Sequence, residues 1–495
     1  MLKSVLQLCR FPTEFENFAL PSLATGSIVL MSSIQPTPFS YEYGYLCFRI
    51  LVFSLNACLI KHGRNLSFTI RRMSDAPSGT HLDLFWLGTG DLILGELSPI
   101  EINIEKPRRL TDILEPGRGQ LPILKRSSLG TLLELLHKDQ KNFLVAVMSA
   151  DSLHLSGLMF VLFKYLEIEQ KTRQQANYTQ KLFLPFSRIF RRYRLVFPET
   201  YHETTLLRLI YNTLPAMSDL QDKTTVDAED SRNVIQAYNR SLKTYQTINC
   251  KDAIHYMGFV APLFVPGCEE LIPSTLESTF LMLWTIGSKA DPDMLATITQ
   301  GYGVCFWQLF DRFLRPSRSS LEPWRFGLVN AMIKCDIVGL IFRVAFRFSE
   351  TQTISTERAT EARIKDFFDT MLSFWGKAVD YTPEEYFEQQ MMASGVIDNW
   401  LRFFAESNER LDPDSSSAVD IILIPFSMLF SNVMVTILGT KWRTMKFDHQ
   451  VTGICDYPRC PHPTNASTRC SKCINSTYCS PRCLAKYVNS GFGGI

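Results

Sequence analysis

The residues best suited to chemistry lie toward the end of the chain. Six of its 13 cysteines follow the spacing Cys455-x4-Cys460-x9-Cys470-x2-Cys473-x5-Cys479-x3-Cys483. A thiolate is a soft donor, and a tight turn between two cysteines separated by two to four residues places both sulfurs on one ion. Three such pairs follow one another here, a regularity that chance burial of small apolar residues does not produce. Zinc suits the set, because it takes four soft donors in a tetrahedron and has no redox chemistry of its own. A tetrahedron closed by protein ligands leaves no open position for a substrate, so the expected role of the metal is structural.

Within that segment, Cys470-Ser471-Lys472-Cys473 followed by Tyr478-Cys479-Ser480-Pro481-Arg482-Cys483 resembles the core of a MYND finger. The form Cys455-Asp456-Tyr457-Pro458-Arg459-Cys460, with four residues between the first two cysteines, is similar to MYND fingers of fungal proteins. The resemblance implies a small cross-braced module with two zinc ions. It implies that Cys455, Cys460, Cys479 and Cys483 hold the first ion, and that Cys470 and Cys473 hold the second with a His and a Cys on a closing helix. It also implies a function: such fingers bind short Pro-containing peptides in a shallow groove and recruit partners, in transcriptional or signalling complexes, without catalysis. The likeness covers the finger and says nothing of the rest of the chain.

The sequence departs from the family pattern after Cys483. From Leu484 to Ile495 it has neither the His nor the Cys, and Gly491, Gly493 and Gly494 do not sustain a helix. Three explanations stand side by side. The coding sequence is cut short, by a retained intron or a misplaced stop, as the abrupt change after Tyr487 suggests. Alternatively the second ion takes His462, His449 or water. In the third, the second site is empty and the finger holds one ion.

The finger brings one enzymatic alternative, a lysine methyltransferase of the SET and MYND type. That class carries an Asn-His-x-Cys cofactor element, and this chain has no Asn-His dipeptide. Gly88-Thr89-Gly90, beside a β-prone piece, is a weak echo of the glycine turn of such enzymes. Phosphate loops, His-Glu-x2-His helices and Gly-x-Ser-x-Gly elbows are absent from the sequence, and His202-Glu203 stands without a second His. Asp291-Pro292-Asp293 and Asp412-Pro413-Asp414 read as turns and helix caps rather than paired catalytic carboxylates. The run Arg188-Ile189-Phe190-Arg191-Arg192-Tyr193-Arg194 reads as a solvent-exposed basic helix face. No enzyme and no catalytic residue is expected.

The elements that must position the finger are mostly helical. Apolar residues make up 46% of the 495 and charged residues 20%, ordinary for a globular protein, and a net charge of +2 gives no global case for a nucleic-acid or membrane partner. The other seven cysteines, Cys9, Cys47, Cys58, Cys250, Cys268, Cys305 and Cys335, are scattered mainly among apolar neighbours, as free thiols in a reducing, intracellular compartment, cytoplasm or nucleus, would be. The segment Tyr45 to Ile60 reads as an amphipathic helix, since Arg49 and Asn56 share a face. Leu66 to Ile70, Leu82 to Leu87 and Ile100 to Ile104 read as β-prone pieces between turns. From Leu129 onward the pattern is helical at three and four spacing, with Pro323 to Phe348 as one long helix. The fold class expected is mainly α: a large multi-helix domain, an irregular bundle or helical array, with a small C-terminal finger.

Three regions follow: 1–126, helical and mixed; 127–448, helical; and 449–495, the finger. Asp-, Ser- and Thr-rich linkers are expected at Ser218 to Asp230 and Glu409 to Ser417. Two uncharged segments bear on a membrane. Asn17 to Tyr41 is diluted by prolines. Ile421 to Leu438, flanked by Lys441, Trp442, Arg443 and Lys446, has the length of a short span but is interrupted by Pro425, Ser427, Ser431, Asn432 and Thr436, and reads as a core helix with membrane anchoring as the alternative.

Overall fold

The computed structural model describes residues 1–77, 79–97, 114, 122–149, 153–172, 178–197, 200–214, 226–244, 250–287, 290–313, 322–351, 357–397, 400, 431–435, 468–469, 477–478 and 483. The protein is mainly helical, and its contacts divide it into two compact units, Met1–Thr224 and Thr225–Ile495. The division falls inside the Asp- and Thr-rich stretch that composition marks as a linker.

Unit 1 contains α1 (Leu2–Leu8), a helical turn at Phe15–Phe18, α2 (Pro21–Ser32), α3 (Glu42–His62), α4 (Leu66–Ser74), α5 (His81–Leu97), α6 (Arg126–Lys138), α7 (Gln140–Met148), α8 (Ser156–Thr172), α9 (Leu184–Arg194) and α10 (Tyr201–Thr213). Its axis is α3, against which α1, α2, α5 and α8 pack. Arg49 is exposed, but Asn56, seven residues on, is fully buried, so the helix is not amphipathic as its sequence suggests. A local bond offsets this burial, Asn56 Nδ2 donating to the Val52 carbonyl at 2.7 Å, and the neighbouring buried Ser54 is satisfied across the fold, its Oγ donating to the Phe18 carbonyl at 2.7 Å. Gly157 of α8 allows the close approach, since a Cβ there would meet Asn56 Oδ1 at 2.3 Å. Among the described residues, α3 is the helix long and apolar enough to cross a membrane, with 21 residues and a mean hydropathy of 1.6, and 78% of its most apolar window is buried within the protein. A cage of rings closes around it, with Phe15, Phe18 and Phe85 at 5.0, 4.9 and 4.6 Å from Phe53.

The β-prone readings of Leu66 to Ile70 and Leu82 to Leu87 are overturned, because both lie in helices, α4 and α5. Apolar residues in these short runs meet both periods, and packing chooses the helical one: Leu66, Thr69 and Met73 form a buried stripe at three and four spacing. Ile100 to Ile104 lies outside the described residues.

Unit 2 contains α11 (Ala228–Thr244), α12 (Cys250–Val260), α13 (Ile272–Ile286), α14 (Pro292–Phe313), α15 (Pro323–Lys334), α16 (Ile337–Thr351), α17 (Glu357–Asp380) and α18 (Glu384–Ser394). Helices two apart in sequence stack on each other: α11 on α13, α13 on α15, α12 on α14 and α14 on α16, with α14 also packed along α17. That alternation packs the helices into a multi-helix domain. Between them Phe280, Phe374, Phe310 and Tyr381 form a ladder of stacked rings with centroids 5.5–6.4 Å apart. The single helix expected over Pro323 to Phe348 is broken at Asp336. Its backbone is left-handed (φ 44), and its carboxylate accepts from the Gly339 amide at 3.0 Å and from Trp400 Nε1 at 2.8 Å, so it caps α16 and ties it to a later segment. Of Ile421 to Leu438, residues 431–435 are described; they are helical, with Val433 and Met434 buried, and the remainder lies outside the described residues.

Candidate metal centre

The described part of the cysteine segment is a minimal hairpin, β1 (Thr468–Arg469) and β2 (Thr477–Tyr478), antiparallel, with Thr468 opposite Tyr478 and Arg469 opposite Thr477. In sequence β1 runs directly into Cys470, and β2 directly into Cys479. The seven residues between the strands carry the second cysteine pair, and the third pair follows β2. Tyr478 is fully buried, and Cys483, in helical backbone, is buried and forms no disulfide among the described residues. Strands of two residues cannot build a core alone, so burial of a tyrosine and a thiol here needs another source of cohesion.

Of the six predicted ligands, Cys483 is described and Cys455, Cys460, Cys470, Cys473 and Cys479 lie outside the described residues. Among the described residues no group of three or more His, Cys, Asp or Glu side chains converges as a metal cluster. Thiolates are the donors zinc takes, and the one described ligand candidate, Cys483, is buried, forms no disulfide among the described residues and lies four positions after Cys479 in sequence.

The other chemistry-bearing residues that are described take partners within the helical fold. Asp291 Oδ1 accepts from the Met294 amide at 3.1 Å and caps α14, the role its Pro-flanked sequence predicts. Asp412 and Asp414 lie outside the described residues. Gly88, Thr89 and Gly90 sit inside α5 rather than in a turn beside a strand; Gly90 is small because His202 packs on it, where a Cβ would meet the His202 Cβ at 2.7 Å. The basic run 188–194 is not a solvated face. Arg192 and Arg194 are 1% and 3% exposed, Arg194 lies over the Tyr211 ring at 4.4 Å, and Arg188 Nη1 is 3.0 Å from His137 Nε2. The notion of a solvated charged face fails here because the Tyr211 ring and His137, on other helices, meet the arginines.

A buried polar network escapes the sequence reading. The Leu155 amide donates to the Tyr193 hydroxyl at 2.9 Å, that hydroxyl donates to Glu203 Oε1, and Glu203 Oε2 is 3.7 Å from His154 Nδ1. Burial, with the Glu203 carboxylate next to it, pushes the Tyr193 hydroxyl well above its ordinary range. One signal was available: Thr200-x-x-Glu203 has the form of a helix cap, and Thr200 Oγ1 accepts from the Glu203 amide at 3.3 Å. His202 turns the other way and pairs with Asp91 at 2.7 Å.

Against known proteins, no family model matches the chain, and no curated protein and no solved structure is significantly similar to it.

Proposed function

We propose that the chain is a zinc-binding protein whose segment from Cys455 to Cys483 folds as a MYND-type finger and serves as a protein–protein interaction module for short Pro-containing peptides, in intracellular transcriptional or signalling assemblies. Cys455, Cys460, Cys479 and Cys483 hold one zinc ion, while Cys470 and Cys473 supply half of a second set. Bound there, zinc supplies a structural cross-link and no catalysis. The observation that carries the reading is the paired spacing of six cysteines around a two-strand hairpin whose Tyr478 and Cys483 are buried. Tyr478 anchors the hairpin, and the ion supplies cohesion that strands of two residues do not. Arg459, Arg469, Lys472, Arg482 and Lys486 against Asp456 make the segment basic, which keeps a small module soluble.

The test is fluorescence anisotropy of dye-labelled Pro-containing peptides, each beside its Pro→Ala counterpart, titrated with the full chain. The expected result is saturable binding at roughly micromolar Kd that weakens on Pro→Ala exchange, disappears with a zinc chelator and returns with added zinc. Zinc-loaded protein that binds none of the peptides, or binds both series equally, overturns the interaction reading.

A further inference from the structure

We infer that unit 1 holds a binding site for a small amphipathic anion, a molecule with an apolar body and one oxyanion head. The inference stands apart from the finger. Between α1, α3, α5 and the segment after α7 lies a cavity of about 660 Å³, within the size that small-molecule sites occupy. Its lining combines two chemistries. Leu46, Phe53, Trp86 and Leu153 give it apolar and aromatic lining, and Lys3, Arg10 and Arg49 give it cationic lining.

The rim is short of negative charge. Glu42 is the carboxylate among the described lining residues, and Lys3 Nζ already holds its Oε1 at 2.7 Å. Among the described residues, neither the Arg10 nor the Arg49 guanidinium makes a hydrogen bond or an ion pair, and both side chains are exposed. Arg49 rests over the Tyr45 ring at 5.9 Å, which orders its stem and leaves the donor fork open. The Cys9 thiol on the same cavity is pushed up to about 12 by burial, so it stays neutral and adds no opposing charge. Two open guanidinium forks beside an apolar wall match a carboxylate or phosphate-monoester head with a hydrocarbon or ring body.

The wall is also braced from behind. His154 stacks on Trp86, with centroids 5.3 Å apart and planes at 25°, and His154 in turn faces Glu203 of the buried network with Tyr193. A ring clamped in this way is preorganised, which lowers the ordering cost of a ligand laid against it. The buried titratable groups of unit 1 thereby act as positioning residues for the cavity.

Isothermal titration calorimetry on the full chain tests the site, using decanoate, decyl phosphate, 1-decanol and inorganic phosphate. The expected result is one saturable site per chain for decanoate or decyl phosphate, the tighter of the two assigning the head, with decanol and inorganic phosphate roughly tenfold weaker or more. The Arg10→Ala/Arg49→Ala variant should raise Kd roughly tenfold or more with its circular dichroism unchanged, because both side chains are exposed. Trp86→Phe should abolish the tryptophan fluorescence change that accompanies binding. The inference is overturned if neither anion binds, if decanol binds as tightly as the anions, or if the double variant binds them unchanged.

Discussion

The two populations of cysteine in this protein differ in their sequence pattern and, on the proposed function, in what they contribute. In the helical units Cys9, Cys47, Cys58, Cys268 and Cys335 are buried and free of disulfides. Burial pushes the Cys9 and Cys58 thiols up to about 12 and Cys305 to about 11. Cys268 and Cys335 point their thiols at the carbonyls of Ala228 and Glu277, at 3.4 and 3.7 Å. These are small apolar side chains in a core built by phenylalanine, leucine and isoleucine, and their sequence positions carry no pattern. The six from Cys455 to Cys483 are paired in sequence on a segment whose described strands are two residues long. A helical unit has carbon enough to bury a thiol as a hydrophobe. A hairpin of that size does not, and on the proposed function a thiol there contributes to stability as a zinc ligand.

Breaking the comparison begins with the metal. Cys479→Ser/Cys483→Ser, or a chelator, should remove a contribution on the order of 10 kcal/mol from the finger and open the remaining tail thiols to a disulfide reagent, while the far-UV helical signal of the body persists. Loss of the helical signal along with the metal would mean that the body, too, depends on the ion. Next in size is a deletion in the carbon core. Phe53→Ala opens the ring cage around α3 and should cost about 3–5 kcal/mol in chemical denaturation, with zinc per chain unchanged.

Smaller again is Cys58→Ser, which puts a hydroxyl into a site 4% exposed and should cost about 1–3 kcal/mol, again with the metal retained. The remaining prediction concerns pH. The Cys58 thiol is raised from 9.0 to about 12, so the folded state holds a proton that the unfolded chain gives up. Its stabilising contribution is complete below pH 9.0 and declines as pH climbs toward 12, so denaturation midpoints should fall across that alkaline window and be flat below it. A midpoint unchanged from pH 9 to 11 would show that these thiols are not held as buried neutral groups.

How much of this the sequence carries depends on how local the cause is. Helices opened by a proline, such as α2 at Pro21 and α14 at Pro292, and caps such as Asp291 are set by residues a few positions apart and are legible. The break at Asp336 is less so, because the residue that rewards it, Trp400, lies 64 positions away. Asn56 looks like a solvent-facing residue until Gly157 brings another helix over it. Tyr193 and Arg194 look like a basic surface until α10 supplies Glu203 and Tyr211. The zinc set is the reverse case. Its signal is wholly in the spacing, and the described geometry adds the hairpin register, Tyr478 and Cys483.

The most direct measurement is zinc content by mass spectrometry on full-length protein purified without added metal and dialysed against a weak chelator. A finger with one complete ligand set predicts one zinc per chain, falling to none in Cys479→Ser/Cys483→Ser. No zinc in the unaltered protein, or one zinc retained in that variant, would contradict the account.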